Sequence, residues 1–335
     1  MTVMLDAGAL EGVLSMCDAI DLLEGMSRHE AAGRTFISPR FNTTFEGGWM
    51  RMMFGVDYAA GYASTKAYHL VEGVGVRYVV SLYRFADGEL VAVMDGRLIT
   101  DLRTGAASGV VARKVPVSGP VSVGLIGAGH QSRMQLESLA AVYPVQSASV
   151  FSPTPANREA FAREMSAKLK FPVNAVASAE AAARGHAVVV AATSSRSSEP
   201  VLRGAWLDRC RLLCAAGSTR PQSVEVDADC FRGAGLVVID SPRAVEEAGD
   251  LQQAVKQGAA PESKQATLAQ LVTGKAAVPV QGRVVFKSVG TALQDLALAA
   301  RYYELLGGSA AARVDSVASL KTPVSTAFAA GRLKG

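Results

Sequence analysis

The residues best equipped for chemistry in this 335-residue chain are three cations and a cluster of acids. The cations are Arg40 in ISPRFN, Lys66 in YASTKAYH and Arg103 in ITDLRTGAAS. Arg103 opens what reads as a helix over roughly 103–113, where the helix dipole disfavours a cation and a bound carboxylate would offset the cost. Lys66 lies near Tyr62 and Tyr68 in an apolar stretch, a setting that lowers an ammonium pKa by desolvation. The acids close GSTRPQSVEVDAD: Glu225, Asp227 and Asp229. A carboxylate on such a loop can act as a general acid–base, and spacing alone does not choose among the three. The four histidines are scattered and the four cysteines form no CxxC pair, so no metal is expected.

A second group of residues could hold a phosphate. The strand VSVGLI runs into Gly127-Ala128-Gly129-His130-Gln131-Ser132, after which a helix begins. Gly127 permits the tight turn, Gly129 lets a pyrophosphate approach the backbone, and the helix N-terminus offers N–H groups and a partial positive charge. Dinucleotide folds often place an acid about 20 residues further on to hold a ribose 2′-hydroxyl. This chain has Ser152-Pro153-Thr154 there, with Arg158 following, which tilts the cofactor from NAD(H) toward NADP(H). Thr193 and Gly217–Ser218 end two further apolar strands, at the rim where ligands of open α/β sheets bind. The stretch FKSVGTALQDLALA passes from strand to helix through Ser288, Val289 and Gly290, whose small groups and backbone N–H donors would face the same rim. Lys287 reads as solvated.

The elements that must position these groups fall into two textures. Residues 10–30 read as an amphipathic helix, and 36–94 as antiparallel hairpins punctuated by Asp87–Gly88 and Asp95–Gly96. After the linker KVPVSGP, apolar strands alternate with helices near 131–142, 155–168 and 177–184, which implies a parallel sheet covered on both faces. The composition, 49% hydrophobic and 19% charged with a formal charge of +4, gives no basic tract for nucleic acid. No apolar run reaches the ~18 residues of a membrane span. The N-terminus has no secretory pattern, so the expectation is a cytoplasmic protein without nucleic-acid or membrane partners.

Four stretches, LITDLRTGAASGVVA, VGLIGAGHQSRMQLESL, GSTRPQSVEVD and FKSVGTALQDLALAA, resemble signatures of the ornithine cyclodeaminase / mu-crystallin family, in family order and across nearly the whole chain. The resemblance implies an α/β architecture: a Rossmann-type doubly wound parallel sheet domain, residues 118–311, inserted into an α+β substrate-binding and dimerisation domain, residues 1–117 plus 312–335. It implies NAD(P)H chemistry at a C–N bond beside a carboxylate, on a small amino or imino acid, in a homodimer. By motif, Arg40, Lys66 and Arg103 would bind the substrate carboxylate, with Gly290 beside them. Asp227 would exchange the proton, with Lys66 near the reacting nitrogen and Glu225 in support. Gly127, Gly129, His130 and Gln131 would cradle the pyrophosphate, while Thr193, Ser218, Ser288 and Val289 would line the nicotinamide side. The chain departs from the family in MMFGVDYAAGYASTK, which lacks the usual Met-Pro-Ala before the lysine. The reductase or dehydrogenase reading is therefore preferred to cyclodeamination of ornithine, for which Asp57 is the only nearby acid. A non-catalytic, mu-crystallin-like ligand-binding protein is the third reading.

Overall fold

The computed structural model describes residues 1–195, 197–308 and 312–314. The first sheet contains β1 (Thr2–Leu5), β2 (Thr35–Ile37), β3 (Phe41–Phe45), β4 (Gly48–Asp57), β5 (Tyr62–Val71), β6 (Gly75–Arg84) and β7 (Leu90–Asp95). The second holds β8 (Val121–Ile126), β9 (Val145–Phe151), β10 (Val173–Ala175), β11 (Val188–Ala191), β12 (Leu212–Ala215), β13 (Ala234–Ile239), β14 (Gln265–Thr267) and β15 (Arg283–Lys287). β16 (Ala312–Val314) returns to the first sheet, antiparallel to β1.

The hairpins of the first sheet follow from local turn chemistry. Between β4 and β5 the Asp57 carboxylate accepts from Ala59 N and Ala60 N, both at 3.0 Å, and Gly61 takes φ +78°. Side chains on a strand alternate between faces, and cross-strand partners share one. Arg51 pairs with Tyr68, Met53 with Lys66, and Tyr68 in turn with Tyr78. One face of β4–β6 therefore carries a cation, an ammonium and two aromatic rings in adjacent rows.

Asp95–Gly96 is not a hairpin turn. Asp95 caps a helix over Gly96–Lys114, its carboxylate accepting from Arg97 N at 2.9 Å. Arg103 is consequently buried in mid-helix, so dipole repulsion at a helix start does not apply to it. The helix has small residues because it has close neighbours. A Cβ on Gly105 would lie 2.6 Å from Met134 O, and one on Gly109 would lie 2.5 Å from Ser138 Oγ. Both neighbours belong to the helix His130–Val142 that follows β8.

The second sheet is parallel throughout, in the order β10-β9-β8-β11-β12-β15-β13-β14. Strand order reverses between β8 and β11, the place where open α/β sheets leave a crevice. The last helix, Ala292–Leu306, packs on β4 and β5 rather than on the second sheet. The chain thus returns to the first layer at residues 288–291, earlier than the expected boundary at 311 and 312. One continuous apolar core runs from Val3, Leu5 and Val80 to Val123, Val190 and Phe286, joining the two sheets through the helices between them.

Candidate active site

The turn after β8 is shaped for a phosphate. Gly127 takes φ +111°, and a Cβ there would meet Ala192 O at 2.4 Å, so no other residue fits without displacing backbone. Gly129 has open space where its side chain would be, and as N-cap of the following helix it supplies no side-chain cap. The first N–H groups of that helix have no capping side chain, which is the arrangement an anion can complete. The side chains of His130 and Gln131 turn toward the Gly96–Lys114 helix. His130 Nε2 lies 3.0 Å from one oxygen of Asp101, and Gln131 Nε2 donates to the other at 3.0 Å. Burial pushes the Asp101 carboxyl above its ordinary pKa.

From this turn a cleft of about 880 Å³ extends along the strand ends. Its lining includes Ser152, Thr154 and Asn157 after β9, Thr193 and Ser195 after β11, and Gly217, Ser288 and Val289 after β12 and β15. No carboxylate lines it among the described residues. Two expected members face elsewhere. Ser218 is buried, donating to Ser223 O at 2.6 Å, and its neighbours Gly217 and Thr219 form the wall instead. Arg158 donates to Ser152 O at 2.8 Å and lies over the Phe151 ring, bracing the loop from behind.

The 288–290 turn owes its shape to Asp240, a residue the sequence did not single out. Its carboxylate accepts from Ser288 Oγ at 2.7 Å, Val289 N at 3.0 Å, Gly290 N at 2.9 Å and Gln294 Nε2 at 3.3 Å. The backbone donors expected to await a ligand at Val289 and Gly290 are therefore already engaged. Lys287 is not solvated either: it is fully buried and paired with Asp250 at 3.0 Å. Glu225 holds the neighbouring strand ends together, accepting from Thr193 N at 2.5 Å and Gly217 N at 2.8 Å.

Beside the cleft lies a second cavity of about 220 Å³, walled by β4–β6 on one side and the Gly96–Lys114 helix on another. Tyr78, Thr100, Arg103, Thr219 and Val289 line both spaces. Lys66 projects into the smaller one from β5, only 2% exposed, donating to Thr100 Oγ1 at 2.6 Å and to Asp295 Oδ1 at 2.9 Å. Burial lowers its pKa from 10.5 to about 8, with Asp295 opposing the shift. Arg103 Nε lies 3.3 Å from the same Asp295 oxygen, and its Nη1 donates to Gln294 Oε1 at 3.2 Å. Arg40 donates to Val289 O at 3.0 Å and Gly290 O at 2.9 Å and faces Glu247 at 3.2 Å. Gly290, at φ +79°, makes room for Arg103: a Cβ there would stand 2.4 Å from Nη1. The three cations chosen from sequence thus meet around one small space.

Asp227 does not join them. Its carboxylate caps the short helix Ala228–Arg232, accepting from Cys230 N at 3.1 Å and from Gly204 N at 2.9 Å, and it lines neither cavity. The GSTRPQSVEVD segment reaches both spaces through Thr219, eight residues earlier. Asp57 is likewise spoken for, by its turn amides and by His29 Nδ1 at 2.8 Å.

The sequence and the fold are similar to those of known proteins. The family model for the ornithine cyclodeaminase/mu-crystallin family matches residues 1–309. The chain belongs to that family. Alanine dehydrogenase of Archaeoglobus fulgidus is 29% identical over 321 residues, covering 90% of this chain and 94% of the relative. Among solved structures, Thermococcus litoralis Δ1-pyrroline-2-carboxylate reductase in complex with NADH and L-proline superposes with a TM-score of 0.87 at 28% identity, covering 93% of this chain and all (100%) of that one. An archaeal alanine dehydrogenase dimer with bound NAD gives 0.82 at 26% identity, covering 91% and 96%. The α/β fold with its Rossmann-type parallel sheet agrees with the sequence expectation.

Proposed function

We propose that the protein is a nicotinamide-dependent oxidoreductase that reduces the C=N bond of a small 2-imino acid, or oxidises the corresponding amino acid. The observation that carries this reading is the shared wall: Tyr78, Thr100, Arg103, Thr219 and Val289 border both the dinucleotide-shaped cleft and the cation-rich cavity. Gly127, Gly129 and the helix start at His130 would hold the pyrophosphate, Ser152 and Thr154 the adenosine ribose, and Thr193, Ser288 and Val289 the nicotinamide end. When bound, the nicotinamide supplies or accepts a hydride at the substrate α-carbon. Arg103 and Arg40 bind the substrate carboxylate, aided by Lys66 while it is charged. With Asp227 turned away, Lys66 is the group suited to exchange the proton on nitrogen, because a pKa of about 8 lets it give or take one near neutrality.

Cyclodeamination of ornithine fits this cavity less well. A second substrate ammonium would need an acid, whereas the wall carries cations and, among the described residues, no carboxylate. A ketoacid panel with ammonium or methylamine, together with cyclic imines, should oxidise NADPH or NADH at 340 nm. Proline and ammonia formed from ornithine and NAD⁺, with no imine reduced, would reverse the ordering. The absence of an acid beside Ser152 and Thr154 supports acceptance of NADP(H), preferred over NAD(H), and comparing kcat/KM for the two cofactors tests it. We further propose a homodimer, supported by the apolar side chains Phe36, Phe41, Phe45 and Met52 that β2–β4 leave exposed; light scattering would show the mass. Among the described residues no helix is long and apolar enough to cross a membrane.

A further inference from the structure

The glycine turn after β8 is gripped by Arg133, which lies one turn into the helix His130–Val142. Its Nη1 donates to Ala128 O at 2.9 Å and to Gly129 O at 3.1 Å. The rest of the guanidinium is fixed by the next helix, Pro155–Leu169. Nε lies 3.0 Å from both oxygens of Glu164, and Nη2 donates to one of them at 2.7 Å. The guanidinium carbon also stands 5.0 Å from the centre of the buried Phe161 ring on that helix. A planar fork held by a carboxylate and a ring face keeps a single orientation. Arg133 does not border the cleft, so it can act on a ligand only through the turn.

The effect of this grip follows from peptide geometry. C=O and N–H lie on opposite edges of a planar trans peptide, so fixing two carbonyls also fixes the two amides that share their planes. Those amides are the N–H groups of Gly129 and His130. Neither donates to another protein group among the described residues, and Ala128, Gly129 and His130 all line the cleft. Gly129 has no side chain to hinder rotation of the peptides on either side of it. A rotated peptide would present a carbonyl oxygen to a phosphate oxygen, lone pairs facing lone pairs, where an N–H is needed.

We propose that Arg133, held by Glu164 and Phe161, is the positioning residue of the diphosphate site: it sets the Ala128–Gly129 and Gly129–His130 peptides so that their N–H groups meet the phosphate oxygens. The inference rests on the nicotinamide reading above and adds the residue that shapes its anion site. The helix bearing Glu164 and Phe161 starts at its N-cap Thr154, which lines the cleft with Ser152 and Pro153. The same grip therefore keeps the diphosphate turn in register with the loop assigned to the adenosine ribose. Lys168 and Glu137 join the two helices separately at 2.7 Å, so their packing does not depend on Arg133 alone.

Calorimetry on the full chain separates positioning from folding, because it reports affinity and the binding-competent fraction independently. NADH and ADP-ribose, which keeps the diphosphate and lacks the nicotinamide, would be titrated into the wild type and each variant, with a thermal melt of each. Arg133→Gln is expected to raise the Kd of both ligands about tenfold or more, by the same factor and at unchanged stoichiometry. Arg133→Lys should remain about fivefold weaker than wild type, because an ammonium keeps the charge but cannot span two carbonyls and a carboxylate. Glu164→Gln, at a half-exposed site, should raise both Kd values about threefold, and it carries the test if Arg133→Gln does not fold. Unchanged Kd values, a loss confined to stoichiometry and melting temperature, or full recovery by lysine would each overturn the proposal, the last because charge alone would then suffice. A wild type that binds NADH but reduces no imine with it loses the C–N reading and keeps this one. A wild type that binds neither ligand loses both.

Discussion

Replacing Asp295 with Asn tests the central ion cluster most directly. The carboxylate is fully buried, with Lys66 Nζ at 2.9 Å and Arg103 Nε at 3.3 Å from one of its oxygens. Coulomb's law at an effective dielectric of ~20 gives roughly 5–6 kcal/mol for a charge pair at 2.9 Å. Moving a pKa by one unit takes only about 1.4 kcal/mol, so even a quarter of that attraction shifts Lys66 by about a unit. Burial already holds Lys66 near 8, and Asp295 is the largest influence raising it. Without the carboxylate, the midpoint should drop below 7 and the lysine should be largely neutral at physiological pH. The sign matters. An anionic substrate is met by the charged lysine, so kcat/KM in the wild type should decline as pH rises through about 8. In Asp295→Asn that falling limb should move at least one unit lower. Removing one partner from a buried pair should also cost about 3–5 kcal/mol of stability. The assay is a pH series of kcat/KM, with a thermal melt at each pH restricting it to folded protein. A limb that stays near pH 8 in the variant would refute the argument that Asp295 sets the lysine's charge.

Other perturbations separate architecture from chemistry. Asp227→Ala removes a helix cap and the Gly204 contact, so stability should fall by about 1–2 kcal/mol while kcat stays within twofold; a loss of kcat above tenfold would return Asp227 to the reaction. Gly290→Ala should cost about 1–2 kcal/mol for its left-handed backbone, and by driving Arg103 from its place it should raise substrate KM at least tenfold in steady-state assays. Ser152→Asp should set a carboxylate against a 2′-phosphate and lower kcat/KM with NADPH at least tenfold relative to NADH, as read at 340 nm.

Much of this was legible because it depends on local chemistry. The β8 turn and the alternating strands and helices follow from residue type and spacing, whereas the convergence of Arg40, Lys66 and Arg103 was implied only by the family resemblance. The failures have a common physical origin. Asp95–Gly96 has the letters of a hairpin turn, but an Asp that can cap a helix starts one when the following residues find a buried face, as Ile99, Ala106 and Val110 do. Asp227 was assigned by the family resemblance, since spacing left Glu225, Asp227 and Asp229 open, while its orientation is decided by Cys230 N and Gly204 N, the latter 23 residues away in sequence. Asp240 and Asp295 bind partners 48–54 and 229 residues distant, respectively, and no local pattern announces such pairings.

The continuous core between the sheets has a consequence for how the molecule can come apart. Val80 and Leu82 of one sheet and Val123 and Val190 of the other belong to a single apolar cluster, with the Gly96–Lys114 helix seated among them. The parallel sheet cannot be excised as a portable cofactor module without exposing the face that this helix covers. Melting should accordingly be one all-or-none event, with calorimetric and van't Hoff enthalpies in agreement. A dinucleotide in the cleft at the strand ends of the parallel sheet, which Tyr78 of β6 also borders, should then raise the melting temperature of both sheets together.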